Sequence, residues 1–282
     1  MCLLRLGRLV LFMTASNCIT QGVWAADSGK PLWEIGIAAF GFSIPQYMGD
    51  EERYTLPLAV PYFIYRGEFL RIDRDGIRGI LSEQNNLSLD LGFSFGLPVS
   101  NDNEAREGMP ELYFTGEVGP RLNWALDMPD DAPETSLHLP LRYVLDTQGK
   151  ALGWVVEPTL KLEKEDFGRD NRFSLRLDLG ALFTSKSYND YYYSVEPEYV
   201  TEDRPAYNPG SGLHSYFAKL MAGYRMNHDL NLRLYLTART LSPGVVADSP
   251  LVKDQRYLMA GIGFIWRFWK SEQRVDADFR SE

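Results

Sequence analysis

The sequence predicts an all-β fold, a transmembrane antiparallel β-barrel, on three observations. Beyond the N-terminus no uncharged apolar run approaches the ~20 residues that a membrane-spanning helix needs, and the mean hydropathy is −0.26. Apolar and polar residues nevertheless alternate with period two in one stretch after another, which makes one whole face of each stretch apolar. These stretches run to about eleven residues, the length a tilted strand needs to cross a bilayer.

The chain opens on an export pattern. Arg5 and Arg8 form a basic start, Leu9 to Thr14 begin an apolar stretch, and Val23-Trp24-Ala25 supplies small residues at the −3 and −1 positions of a cleavage site after Ala25. A lipoprotein variant would use Cys18, which Asn17 fits poorly. Residues 1–25 are therefore expected to be a cleaved signal peptide. Both cysteines, Cys2 and Cys18, lie inside it, so the mature chain holds no disulfide and no cysteine metal site. Of 282 residues, 29 are Lys or Arg and 38 Asp or Glu, a net charge of −9. Without residues 1–25, 27 bases face 38 acids and the charge is −11, which excludes a basic nucleic-acid footprint.

The clearest strand is Leu87–Leu97, where Leu87, Leu89, Leu91, Phe93, Phe95 and Leu97 alternate with Ser88, Asp90, Gly92, Ser94 and Gly96. The pattern returns from Leu137 to Leu145 against Ser136, His138, Arg142 and Asp146. It recurs from Phe173 to Phe183 against Ser174, Arg176, Asp178 and Thr184, and from Leu230 to Ala238 against Asn231, Arg233, Thr237 and Arg239. A soluble β-sandwich also alternates, but its strands are usually shorter and its charges face water. Here Arg176 with Asp178 and Glu157 with Lys161 share polar faces, where they can pair across a lumen. The last strand, from Tyr257 to Phe268, carries Ala260, Ile262, Phe264, Trp266 and Phe268 on one face and Gly261 and Gly263 on the other. Its aromatic end resembles an outer-membrane assembly signal, although fourteen mostly polar residues, 269–282, follow as an expected periplasmic tail.

Eleven alternating segments emerge between residues 32 and 268, but a barrel with both ends in the periplasm needs an even number. Asp75-Gly76, a strong hairpin pair, splits segment 68–81 and gives twelve strands, with ten as the alternative because the halves are short for a bilayer. Loops 185–213 and 241–256 then fall outside, and turns 82–86, 125–135 and 164–171 face the periplasm. Trp124, Trp154, Trp266 and Trp269 fall near strand ends, as interfacial anchors do.

Catalytic and metal chemistry find little footing. Ser136 and His138 share a strand face and can pair, but with no third group and toward the lumen. His214 and Ser215 are neighbours, expected on opposite faces, and His228-Asp229 sits in a tight turn. Glu196, Glu198, Glu202 and Asp203 offer oxygen ligands for calcium, yet a charge-rich external loop does the same by default. No catalytic residue, metal or cofactor is assigned.

Ordered motifs along nearly the whole mature chain resemble the MipA/OmpV family of outer-membrane proteins. They are Trp33-Glu34-Ile35-Gly36, Pro45-Gln46-Tyr47-Met48-Gly49-Asp50, Pro57, Pro61, Tyr65-Arg66-Gly67 and Asp75-Gly76-Ile77. The most specific is Ser187-Tyr188-Asn189-Asp190-Tyr191-Tyr192-Tyr193-Ser194-Val195, followed by Arg204 to Gly212 with Tyr207; Ser194 stands where the family pattern has Gly. The resemblance implies an outer-membrane barrel of the Gram-negative envelope. It also implies a scaffold linking a lytic transglycosylase to a penicillin-binding protein in peptidoglycan remodelling, while other members are treated as porin-like or adhesive.

The leading expectation is accordingly a non-enzymatic scaffold that sits in outer-membrane lipid and meets its partners through the acidic turn of Asp127, Asp130, Asp131 and Glu134. A narrow channel is the rival. Its lining would be Asp90, Glu117, Arg121, Arg142, Glu157, Lys161, Arg176, Asp178, Lys219, Arg225, Arg233 and Arg239, whose mixed signs favour pairing and plugging. Surface adhesion through loop 185–213, with the motif Tyr188, Asn189, Asp190, Tyr191, Tyr192, Tyr193 and Tyr207, is the third expectation.

Overall fold

A computed structural model describes residues 29–99, 102–129 and 131–275. The expected signal segment, Asp130 and residues 276–282 lie outside the described residues. β1 (Lys30–Pro31) leads into β2 (Trp33–Pro45), β3 (Arg53–Arg66), β4 (Leu70–Asp73), β5 (Gly76–Gln84), β6 (Leu87–Gly96), β7 (Thr115–Leu126) and β8 (Glu134–Asp146). Then come β9 (Ala151–Val156), β10 (Thr159–Phe167), β11 (Phe173–Thr184) and a helix, α1 (Lys186–Tyr193). β12 (Gly212–Arg225), β13 (Leu230–Thr240), β14 (Arg256–Lys270) and β15 (Arg274–Val275) complete the order.

Every wall strand pairs antiparallel with the next, and β14 pairs with β2 from Ala260↔Ser43 to Lys270↔Glu34, so the sheet closes on itself. β9 and β10 form one stave, since both lie between β8 and β11. Pro158, which has no N–H to give a ladder, falls at the break between them. The barrel therefore has twelve strands. The hairpin read at Asp75-Gly76 is there: Asp73 pairs with Gly76, whose φ of 99° only glycine adopts readily.

The period-two faces fall as the alternation demands. Leu137, Leu139, Leu141, Tyr143 and Leu145 all point outward and are exposed, as are Leu87, Leu89, Phe93 and Phe95. In water such an apolar surface would be an aggregation hazard; against acyl chains it is the favoured face. Trp124, Trp154, Trp266 and Trp269 are exposed near strand ends, matching an interfacial girdle. The long connections, 97–114, 185–211 and 241–255, gather at one end. The opposite end has short turns and both described termini, where β1 pairs with β15 through Lys30↔Val275.

One edge departs from the regular wall. β3 is paired along its length with β2, but on its other edge only Tyr65 and Arg66 have strand partners, Ile72 and Arg71. Arg66 N donates toward Leu32 O of the β2 side and Gly67 N toward Leu70 O, so odd-numbered residues of β3 direct their N–H groups to the short-paired edge. Pro57 and Pro61 occupy odd positions and remove two donors from it. Proline is tolerated in a sheet where no ladder bond is lost.

Candidate functional site: a lumen blocked at two levels

The first block fills the long-loop mouth. α1 has only eight residues, too few to stand alone in water. Ser185 caps it by accepting from Tyr188 N, and Lys186 pairs with Asp190 one turn on at 2.6 Å. Residues four apart share a helix face, so Tyr188 with Tyr192 and Asn189 with Tyr193 are buried together. The three tyrosines join Tyr47, Val144, Leu152, Val155, Leu182, Leu241, Val246 and Tyr257 in one apolar cluster. Asn189 donates to Gly210 O and accepts from Thr184 Oγ1, both at 2.7 Å. Tyr191 Oη accepts from Tyr113 N, and Tyr207 Oη donates to Val245 O. Ser194, at the helix end, has φ −74°, a conformation that does not require glycine, and its hydroxyl donates to Asp190 O at 2.7 Å.

A hydrogen-bond chain ties this helix to the wall. Tyr193 Oη donates to Met48 O at 2.8 Å, so it accepts from His214 Nε2–H at 3.0 Å. His214 Nδ1 then accepts from the Ser215 hydroxyl at 3.1 Å, and Ser215 Oγ accepts from Arg239 at 2.6 Å. The expectation that His214 and Ser215 lie on opposite faces is corrected here. The β11–β12 register passes from Leu182↔Ser215 to Phe183↔Leu213, leaving His214 as a bulged residue, and a bulge lets two neighbours face the same side.

Beside it, the loop after β2 buries Asp50, which accepts from Asn103 Nδ2 at 2.8 Å. Burial pushes the Asp50 carboxyl up from 3.8 to about 6. The folded mouth thus holds this proton more tightly than the unfolded chain does. Its stabilising contribution is full below about pH 4 and is lost as pH rises through about 6. Hydrogen exchange of residues 46–52, corrected for intrinsic rates, should therefore lose protection between pH 4 and 7, and Asp50→Asn should flatten that profile.

The second block is the β4–β5 hairpin, too short to reach the long-loop end, whose tip meets the lumen face of β10 and β11. Asp75 pairs with Lys161 at 3.4 Å and with Arg176. Arg74 pairs with Glu163 at 3.2 Å and also with Glu165. Around it Arg121 holds Asp90 at 2.9 Å, Arg142 holds Glu117 at 2.7 Å and Arg176 holds Asp178 at 2.8 Å. Nearer the mouth Lys219 and Arg239 share Glu157, and at the short-turn end Arg225 pairs with Asp166. Of the twelve lumen charges expected from the sequence, all but Arg233 are ion-paired among the described residues. Sequence reasoning missed Asp73, Arg74, Arg78, Glu163 and Glu165. The available signal was three consecutive charges, Asp73-Arg74-Asp75, at a turn between strands too short to span.

The acidic turn is spread out. Asp127 accepts from Asn86 Nδ2 at 2.9 Å, Asp131 accepts Lys164 through its main-chain carbonyl at 2.6 Å, and Glu134 is the first residue of β8. Ser136 Oγ and His138 Nε2 do meet, at 2.8 Å, buried inside the wall. Asn123, opposite His138, gives its amide to Ser88 and Asp90 instead. Nothing positive here shows catalysis.

These features define a class: a closed, twelve-stranded outer-membrane β-barrel. The chain belongs to the family described as MltA-interacting protein MipA, which matches residues 36–268. No curated protein matches the chain. Among solved structures it is similar to the translocator domain of autotransporter NalP from Neisseria meningitidis, at 13% identity and TM-score 0.42 over 86% of this chain and 90% of that one. It is also similar to an outer membrane channel from Pseudomonas putida F1, at 11% identity and TM-score 0.40 over 86% and 98%. A third is outer membrane phospholipase A from Escherichia coli, at 9% identity and TM-score 0.30 over 83% and 92%.

Proposed function

We propose that this barrel is an outer-membrane anchor that holds peptidoglycan-remodelling enzymes at its periplasmic, short-turn end, after export directed by residues 1–25. The observation that carries the reading is the interior blocked at two levels, by a tyrosine-rich mouth and by a hairpin ion-paired to the opposite wall. The family description, an interactor of MltA, supports a lytic transglycosylase as one partner; a penicillin-binding protein is the second partner proposed. Tethering acts by raising the partners' effective concentration at the wall. The acidic groups Asp127, Asp130, Asp131 and Glu134 offer a basic partner face its counter-charges. A tagged chain recovered from gently solubilised envelopes should carry murein-cleaving activity, and replacing these four by Asn or Gln should reduce its recovery. Envelopes that yield the barrel with no murein hydrolase or synthase would overturn the proposal. Stable conductance steps from the unaltered protein in planar bilayers would favour the channel reading instead.

A further inference from the structure

Arg233 stands apart from the other lumen charges. It lies on β13 directly opposite Gly223 of β12 and Gly263 of β14. A Cβ at residue 223 would come 2.2 Å from Arg233 Nη1 and 2.3 Å from Ser174 Oγ, so glycine there leaves the guanidinium its place across the strand. Nη1 donates to Ser174 Oγ at 2.8 Å, Nε has no partner, and no carboxylate lies within ion-pair distance among the described residues.

The side chain faces a cavity of about 330 Å³ at the short-turn end. Eight cationic side chains line it against four carboxylates, and each of those four already has a cation of its own. Glu34 is held by Arg66 and Arg267, Glu165 by Arg74, Asp166 by Arg225 and Asp73 by Arg78. Arg267 Nε also points into the protein without an acceptor. A partly desolvated cation with no counter-charge is costly to keep, and a planar guanidinium is matched by an oxyanion that accepts two hydrogen bonds.

We infer that this cavity is an anion site whose occupant is a phosphate group, received from the periplasmic side and bound by Arg233 with Arg267 and Arg74 beside it. The space exceeds what a bare phosphate fills, so the group is expected to arrive as part of a larger molecule, either a soluble phosphate compound or a lipid headgroup. The inference does not depend on the scaffold reading.

The test is calorimetric titration of the full chain in a maltoside detergent with pyrophosphate, together with mass spectrometry of phosphatidylglycerol retained from nanodiscs. Saturable pyrophosphate binding that weakens with salt is expected if the source is soluble; Arg233-dependent lipid retention without it identifies the headgroup. In either arm Arg233→Gln should weaken binding about tenfold or more, and Arg233→Lys less. Lys219→Gln, a lumen cation outside the cavity, should leave binding unchanged. A heat-modifiability gel confirms that each variant is folded. Binding in neither arm, or equal binding by folded Arg233→Gln, overturns the inference.

Discussion

Asp75→Ala is expected to lower the barrel's stability by about 3 kcal/mol, read as a lower urea midpoint in lipid vesicles and a lower temperature of band shift on heat-modifiability gels. The carboxylate is 5% exposed and answers two cations, Lys161 and Arg176. Removing one partner of a buried pair strands the other charge, which costs about 3–5 kcal/mol. The lower end applies because Lys161 keeps Glu163 and Arg176 keeps Asp178. Exchanging both members, Asp75→Leu with Lys161→Met, should restore most of the loss, since an apolar pair of similar size is often neutral in place of a buried ion pair. If the single variant is as stable as the parent, the hairpin is not held by its charges.

Tyr193→Ala should loosen the mouth by about 3–5 kcal/mol, the usual cost of emptying a buried aromatic site. The ring is 1% exposed, meets Tyr47, Tyr192 and His214, and its hydroxyl closes the chain from Arg239 to Met48. Tyr193→Phe keeps the ring and loses the hydroxyl, so it should cost about 1 kcal/mol. Proteolysis within residues 185–211 reports the opening. The two blocks stand in series along one lumen, so each is expected to hold back ions by itself. Stable conductance steps are therefore expected only when Tyr193→Ala and Asp75→Ala are combined, and steps from either single variant would show that one block carries the whole barrier.

Much of this is legible in the sequence. Alternation at Leu137–Leu145 or Phe173–Phe183 determines which side of a strand meets lipid, because i and i+2 must share a face. Parity and Asp75-Gly76 then give twelve strands, and the mixed signs of the inward charges anticipate their pairing. The alternation places Lys186–Tyr193 in a loop, whereas the structure makes it a helix whose signals stand in the sequence. Ser185 is a capping residue, and Tyr188, Asn189, Tyr192 and Tyr193 repeat at helical spacing, but a two-turn helix is stable only when tertiary packing buries one face. The contact of His214 with Ser215 was missed because a bulge is a property of two strands in register and leaves no mark on one.

By itself, then, the sequence determined the wall: strand number, lipid face, polar interior and the end at which the long loops gather, all consequences of local periodicity and turn chemistry. Only the tertiary structure decided what the interior does. Asp75 and Arg176 are 101 residues apart, and Tyr193 and Met48 are 145 apart. Whether such groups meet depends on how the strands are staggered around the ring and on how far an undersized hairpin reaches across it. The same closure singles out Arg233, which has no carboxylate partner among the described residues.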